Sequence, residues 1–265
     1  GALGFLWMAF WVFLYDAPAK SKRVSAPELE YIEQDKHEIN ELTGKKAETD
    51  KKIPFLKTFS YKQTWAFAAG KFMTDGVWWF FLFWTPSYLN TQFGIKTSEG
   101  LGMALIFTLY AIVTVLSILG GKLPTIFINR SGQNPYAARM KAMLIFAFFP
   151  LVVLLAQPLG MEFADLGRNA AWLPVLLISI GCSAHQAWSA NLFSTIGDMF
   201  PKGAIATVTG IGGMAGGVGS MILQKSAGNL FVYAGETNMT FFGFVGKPAG
   251  YFVIFCVCAV AYLIG

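Results

Sequence analysis

The chain has 265 residues, of which 55% are hydrophobic and only 13% are charged, and its formal net charge is +5. Average soluble domains carry about 25% charged residues, so this composition excludes a soluble globular protein. The apolar residues fall in long, nearly charge-free runs, which predict an all-α membrane protein that crosses the bilayer several times.

Two segments precede the main apolar runs. Residues 1–15 are apolar and predict the end of a transmembrane helix, because a complete span needs about 20 residues. Residues 16–62 are polar and rich in Lys and Glu, and they predict a cytoplasmic linker between membrane units that starts a short helix near Pro27. Since the chain begins inside one apolar run and stops inside another, we expect it to be a piece of a longer polypeptide.

A bundle of six transmembrane spans is predicted within residues 63–265. The spans lie near residues 64–89, 100–128, 140–158, 171–198, 205–232 and 248–265. Arg130, Arg139 and Lys141 fall in a loop on the side of the linker, which indicates that this side is cytoplasmic. An apolar end, a long linker and six spans are typical of the C-terminal half of a twelve-helix transporter. Such a half contains two inverted three-helix repeats, so its first and fourth spans correspond.

The first span carries a charged and aromatic face. Lys71, Thr74, Asp75 and Trp78 recur there at helical spacing. A lysine at membrane depth is unfavourable without an anionic partner. One interpretation is that Lys71 binds a substrate carboxylate while Trp78 or Trp79 stacks on a sugar ring. The other is a structural ion pair between Lys71 and Asp75, one turn apart. The two interpretations are compatible if the substrate and Asp75 compete for the same cation.

The fourth span is polar on two sides, as expected for a helix that other helices enclose or that lines a cavity. At about 100° per residue, His185 and Ser189 share one face with Trp188 beside them, whereas Asp198 points roughly the opposite way. His185 fits either an interior hydrogen bond or a proton-coupled switch. Trp188 fits either packing or substrate contact, and the position of Asp198 near the cytoplasmic end favours a structural, capping or gating role.

The fifth span contains a glycine-rich stretch. Gly212 and Gly216 are four residues apart, as are Gly213 and Gly217, and this small-xxx-small spacing predicts close helix packing. The same glycines would also permit the bending and sliding that alternating access needs.

Other classes of site have no support in the sequence. Cys182, Cys256 and Cys258 lie in apolar runs without His or Cys at metal-ligand spacing, and they are expected to be core residues. No nucleophile–base arrangement, metal motif or nucleic-acid-binding patch is present. We therefore expect no enzyme activity, no cofactor or metal, and no nucleic acid partner.

Three stretches carry a family resemblance, namely residues 70–88, 185–201 and 210–217. The chain resembles the anion:cation symporter family of the major facilitator superfamily, and within it the bacterial hexuronate transporters. The resemblance implies proton-coupled symport of a hexuronate such as galacturonate or glucuronate across the bacterial inner membrane. It further implies that residues 1–15 end a sixth helix, and that an N-terminal half of the same transporter holds the proton-coupling acids and a second substrate cation.

The expected site therefore combines the first and fourth spans. Lys71 would bind the substrate carboxylate, Trp78 and Trp79 would flank the ring, and His185 with Ser189 would bond the hydroxyl groups. In aldonate carriers of the family the position matching Lys71 looks like a polar amide, so the resemblance implies that a cation there fits a hexuronate carboxylate better. The expected partners are a small organic anion, protons, the lipid bilayer and the N-terminal half, in a monomer. Two alternatives stay open: a symporter for another organic anion, such as an aldonate or an aromatic acid, and a non-transporting membrane module.

Overall fold

The computed structural model describes residues 2–33 and 53–265, which belong to two separate compact units. The first unit contains helix α1 (Ala2–Leu14), a 3-10 turn at Pro18–Lys20 and helix α2 (Ala26–Glu33). The side chains of α1 are apolar and largely exposed. The predicted linker, residues 16–62, lies partly outside the described residues, because residues 34–52 are not described.

The second unit is a bundle of six helical segments preceded by the short helix α3 (Phe55–Thr58). The first two segments are α4 (Lys62–Phe93) and α5 (Gly100–Ser131). The third consists of α6 (Pro135–Ala147), a 3-10 stretch (Phe149–Leu155) and α7 (Ala156–Glu162). The fourth begins with a 3-10 turn (Ala164–Ala171) and continues as α8 (Trp172–Met199). The last two are α9 (Lys202–Thr237) and α10 (Lys247–Ile264), joined by a hairpin of β1 (Thr240–Phe241) and β2 (Phe244–Val245). The all-α fold class is confirmed.

Five of the six segments are long and apolar enough to cross a membrane, within the residues that the structure describes. They correspond to the second to sixth predicted spans. The first predicted span coincides with α4, whose 32 residues extend about 48 Å at 1.5 Å per residue. Its length is therefore sufficient, and it differs from the other five in its higher polar content.

The predicted third span, residues 140–158, is not one continuous α-helix. α6 ends at Ala147, and a 3-10 stretch follows that has Pro150 near its start. Proline has no backbone N–H and its ring collides with the preceding turn, so the α-helix breaks there. The pattern of hydrophobic residues gave the span but not this break.

Helix ends follow from local sequence. Gly94 and Gly132 end α4 and α5 with φ values of 61° and 59°, a left-handed conformation that glycine adopts without a steric penalty. Asn134 caps α6, because its side chain accepts a hydrogen bond from the backbone N–H of Tyr136. Pro135 occupies the first turn, where its missing N–H is not needed.

One face of α9 packs directly on α4 through glycines. A Cβ atom added to Gly212 would overlap the ring of Phe67, and one added to Gly219 would overlap the backbone carbonyl of Phe72. Open space surrounds the corresponding positions at Gly213 and Gly217. Of the two glycine pairs in the sequence, only the one that contains Gly212 therefore lies in the helix contact.

An ion pair joins two connections at the end of the bundle opposite the turn between α5 and α6. Arg168, in the turn that leads into α8, pairs with Glu99, which caps α5. The hydrogen bond and positive charge of Arg168 hold the pKa of Glu99 below its usual range. Because both side chains are more than a third exposed, this pair positions the loops more than it stabilises the fold.

Candidate functional site

A buried ion pair lies within α4. The Nζ atom of Lys71 is 2.7 Å from an Oδ atom of Asp75, one helical turn further on, and the two side chains are only 7% and 14% exposed. The ammonium also lies 4.5 Å from the centroid of the Phe193 ring on α8. Lys71 is therefore satisfied by one carboxylate and by the face of one aromatic ring.

Asp75 occupies a notch in the helix opposite. A Cβ atom at Gly216 of α9 would fall on the carboxylate of Asp75. Gly216 thus continues the contact face of Gly212 and leaves the room that the carboxylate needs. A larger side chain at this position would displace Asp75 from its place beside Lys71.

A second polar cluster surrounds His185, which is 5% exposed in α8. Its Nδ1 atom is 2.6 Å from the hydroxyl oxygen of Tyr262 on α10, and that hydroxyl donates to the carbonyl oxygen of Thr74 at 3.3 Å. A hydroxyl has one proton, so when Tyr262 donates to Thr74 the Nδ1–H of His185 is the donor of the shorter bond. The indole of Trp78 stacks on the imidazole, with 5.6 Å between ring centroids and 15° between planes.

Trp188 closes the same region from the next turn of α8. It is 3% exposed and meets the ring of Tyr262 edge to face at 5.7 Å. A Cβ atom at Gly70 of α4 would lie 3.1 Å from the Trp188 ring, so a glycine allows the two helices this close contact. Ser189, one turn beyond His185, is 9% exposed.

Most of the residues predicted from the sequence lie in or beside these two clusters. A positive charge on His185 would interact with that of Lys71, which links the ion pair to the imidazole. Helices α4, α8 and α10 therefore converge on one polar region, whose predicted members are Lys71, Asp75, Trp78, His185, Trp188 and Ser189.

Two predicted residues lie elsewhere. Trp79 stacks on Phe83 with 5.5 Å between ring centroids, and it is 41% exposed on another face of α4. Trp79 does not approach Lys71, because it directly follows Trp78 and successive residues of a helix point about 100° apart. Asp198, near the end of α8, forms an ion pair of 2.8 Å with Arg139 of α6.

Sequence reasoning missed two members of the cluster. Tyr262 follows a long apolar run in the last span, and Phe193 is one of many phenylalanines; neither has a spacing that marks it. A hydroxyl within an apolar span was the available signal for Tyr262. No arrangement of three or more His, Cys, Asp or Glu that could hold a metal ion occurs in the described part of the chain.

Two grooves lie at opposite ends of the bundle. One, of about 540 Å³, is lined by Gln63, Tyr136 and Asp198 among others, and the other, of about 360 Å³, by Tyr88 and Arg168 among others. Lys71 and His185 line neither of them. Along α4, Lys71 lies between Gln63 at one groove and Tyr88 at the other, so the polar cluster lies between the two ends of the bundle.

Membrane-length helices that enclose charged and hydrogen-bonded groups midway along their length define a polytopic membrane protein with an intramembrane polar site, an arrangement typical of transporters. A family model described as the Major Facilitator Superfamily matches residues 1–223. The chain belongs to this superfamily, which is a family of membrane transporters and not of enzymes.

Several relatives named as sugar-acid transporters are similar to the chain, two of them over most of its length. The hexuronate transporter of Escherichia coli K12 is 28% identical over 233 residues, which are 87% of this chain and 50% of the relative. The D-galactonate transporter of Escherichia coli O6:H1 is 22% identical over 87% of this chain and 51% of the relative. The galacturonate transporter of Dickeya chrysanthemi is 28% identical over 48% of this chain and 35% of the relative. The chain spans about half the length of the first two. No solved structure matches it significantly.

Proposed function

We propose that the protein carries out proton-coupled symport of a hexuronate, such as galacturonate or glucuronate, across the bacterial inner membrane by alternating access. The observation that carries the proposal is the buried cation of Lys71, which has one carboxylate partner and lies beside hydrogen-bonding and aromatic groups. A small sugar acid offers a matching carboxylate, hydroxyl groups and a ring.

The roles of the residues follow from their chemistry. Lys71 binds the carboxylate of the substrate, because a charged group at membrane depth needs an opposite charge. The Nε2 atom of His185 and the hydroxyl of Ser189 bond substrate hydroxyl groups, and Trp78 and Trp188 supply apolar surfaces for the ring. Trp79 has no role in this proposal, since its indole stacks on Phe83 instead.

The names of the relatives support a sugar acid. The three relatives above are named for hexuronate, galacturonate and galactonate. The third is an aldonate, which makes an aldonate symporter the second candidate. A fixed cation at Lys71 does not by itself separate the two, because both kinds of acid carry a carboxylate.

The rest of the cycle needs a second half. Since the chain spans about half the length of its relatives, we propose that an N-terminal half of the same transporter forms the opposite wall of the site, within a monomer. Rocking of the two halves would then expose the site to each side of the membrane in turn. The ion pair between Asp198 and Arg139 would open or close one end of the bundle.

Transport by the full-length protein in proteoliposomes tests this function. With an inwardly directed proton gradient, we expect accumulation of labelled galacturonate above its external concentration. Excess glucuronate should compete more strongly than galactonate or gluconate, and vesicles treated with a protonophore should only equilibrate. Accumulation of labelled galactonate but not of galacturonate would instead support the aldonate alternative. Failure to move either acid would contradict both.

A further inference from the structure

Lys71 and Asp75 form a pair in which each side chain depends on the other. Their charged atoms are 2.7 Å apart, and both are largely buried. No second Lys or Arg forms an ion pair with Asp75 in the described part of the chain. A ligand that takes over the ammonium of Lys71 therefore leaves the carboxylate of Asp75 without a counter-ion in a poorly solvated place.

The neighbouring helices do not supply a replacement charge. On α9 the residue that faces Asp75 is Gly216, which has no side chain. On α10 it is Tyr262, a neutral phenol within electrostatic range of the carboxylate. On α8 the titratable group of the cluster is His185, whose ring stacks on Trp78 and shares a hydrogen bond with Tyr262. A proton on His185 would place a second positive charge beside Lys71, which is unfavourable while that lysine is charged.

Building on the proposed function, we propose that Asp75 takes up one proton when the substrate carboxylate replaces it at Lys71. Before binding, the site holds the Lys71 ammonium and the Asp75 carboxylate. After binding, it holds the ammonium, the substrate carboxylate and a neutral Asp75 that has bound a proton from solution. The added negative charge of the substrate is balanced by that proton, so the net charge of the site stays the same.

This exchange would couple protons to substrate within this half of the transporter. When the substrate leaves, Asp75 releases its proton and pairs with Lys71 again, so neither form of the site contains an isolated charge. The proton acids that the family resemblance implies lie in the other half. Asp75 would add one proton to whatever those acids contribute.

The exchange predicts a pH dependence of binding with a definite sign. Because binding takes up a proton at Asp75, affinity should rise as pH falls. Asp75 alone would contribute about tenfold per pH unit where it is charged without substrate and neutral with it. An asparagine at position 75 cannot take up this proton.

The test compares full-length wild-type protein with the Asp75→Asn variant. Galacturonate is added to each in weakly buffered detergent solution, and a pH-indicator dye reports the protons taken up per substrate bound. Asp75→Asn is expected to bind galacturonate and to exchange it across proteoliposomes, but to take up about one proton fewer per substrate than the wild type. Glu99→Gln is the matched control, because it removes the carboxylate of a different ion pair, which lies away from the site, and its proton uptake should equal that of the wild type.

Each outcome bears on a different claim. Equal proton uptake by Asp75→Asn and wild type would overturn the role of Asp75, and loss of proton uptake in His185→Gln alone would move the role to His185. Binding of galacturonate to the wild-type protein without any proton uptake would also overturn the role of Asp75. Asp75→Ser, which also lacks the carboxylate, replaces Asp75→Asn if that variant does not fold. Absence of galacturonate binding to wild-type protein would contradict the proposed function itself.

Discussion

Replacing Lys71 by alanine in the full-length protein is expected to reduce galacturonate uptake at least about 100-fold while leaving membrane insertion intact. The substitution removes the charge proposed to hold the substrate carboxylate, and it leaves Asp75 without its cation beside the incoming anion. Hydrogen bonds to charged groups contribute about 1.5–3 kcal/mol, and loss of one partner of a buried pair costs more. Since about 1.4 kcal/mol corresponds to a tenfold change in binding, a loss of about 3 kcal/mol corresponds to roughly 100-fold.

The matched control is Lys62→Ala, which removes an exposed lysine from the start of the same helix. Its uptake should equal that of the wild type. Initial rates of labelled uptake, normalised to the amount of protein in the membrane, give the comparison. Uptake by Lys71→Ala at the unmutated rate would exclude Lys71 as the carboxylate-binding residue.

The second large effect concerns the contact between α4 and α9. Gly219→Ala is expected to destabilise the protein by about 1–3 kcal/mol, because the new methyl group would overlap the backbone carbonyl of Phe72, which cannot rotate away. Gly217→Ala is the matched control in the same helix, where nothing lies within contact distance. That substitution should be neutral or stabilising, since alanine favours a helix over glycine by about 1 kcal/mol.

Thermal unfolding of the two variants in the same detergent measures this difference. The expected order of melting temperatures is Gly217→Ala equal to or above wild type, and Gly219→Ala clearly below both. Equal melting temperatures for the two variants would show that α9 does not lie against α4 as the structure has it.

The helices could be predicted from the sequence because their signals are local. Runs of apolar residues gave all six segments of the bundle. The break after Ala147 was harder to predict, because a proline within a membrane helix can either kink the helix or end it. Pro86 and Pro124 lie inside uninterrupted helices in this same structure.

The polar face of the site was predictable only in part. Helical spacing places Lys71, Asp75 and Trp78 on one side of α4, and the unfavourable burial of charge identified them as functional candidates. Spacing could not decide which tryptophan of the adjacent pair turns inward, and the structure turns Trp78 toward His185. The place of Tyr262 in the cluster could not be predicted from the sequence, because it depends on how α10 packs against α4 and α8 in the folded chain.

The glycine stretch shows the same limit. Two pairs with the same spacing occur in one helix, and the sequence pattern cannot tell which pair faces a neighbour. In the structure, the face that contains Gly212, Gly216 and Gly219 packs against α4, whereas Gly213 and Gly217 lie in open space. The Asp75 carboxylate at Gly216 further connects this packing face with the candidate site.

We propose above that Lys71 binds the carboxylate of a hexuronate. The most direct test is the thermal stability of the full-length protein, wild type and Lys71→Gln, with galacturonate, glucuronate, galactonate and gluconate at two pH values. A ligand at about 100 times its Kd stabilises the folded state by about 2.7 kcal/mol. We expect higher melting temperatures with the two hexuronates for the wild type, a larger increase at the lower pH, and no increase for Lys71→Gln. An equal increase for Lys71→Gln, or no response of the wild type to either hexuronate, would contradict it.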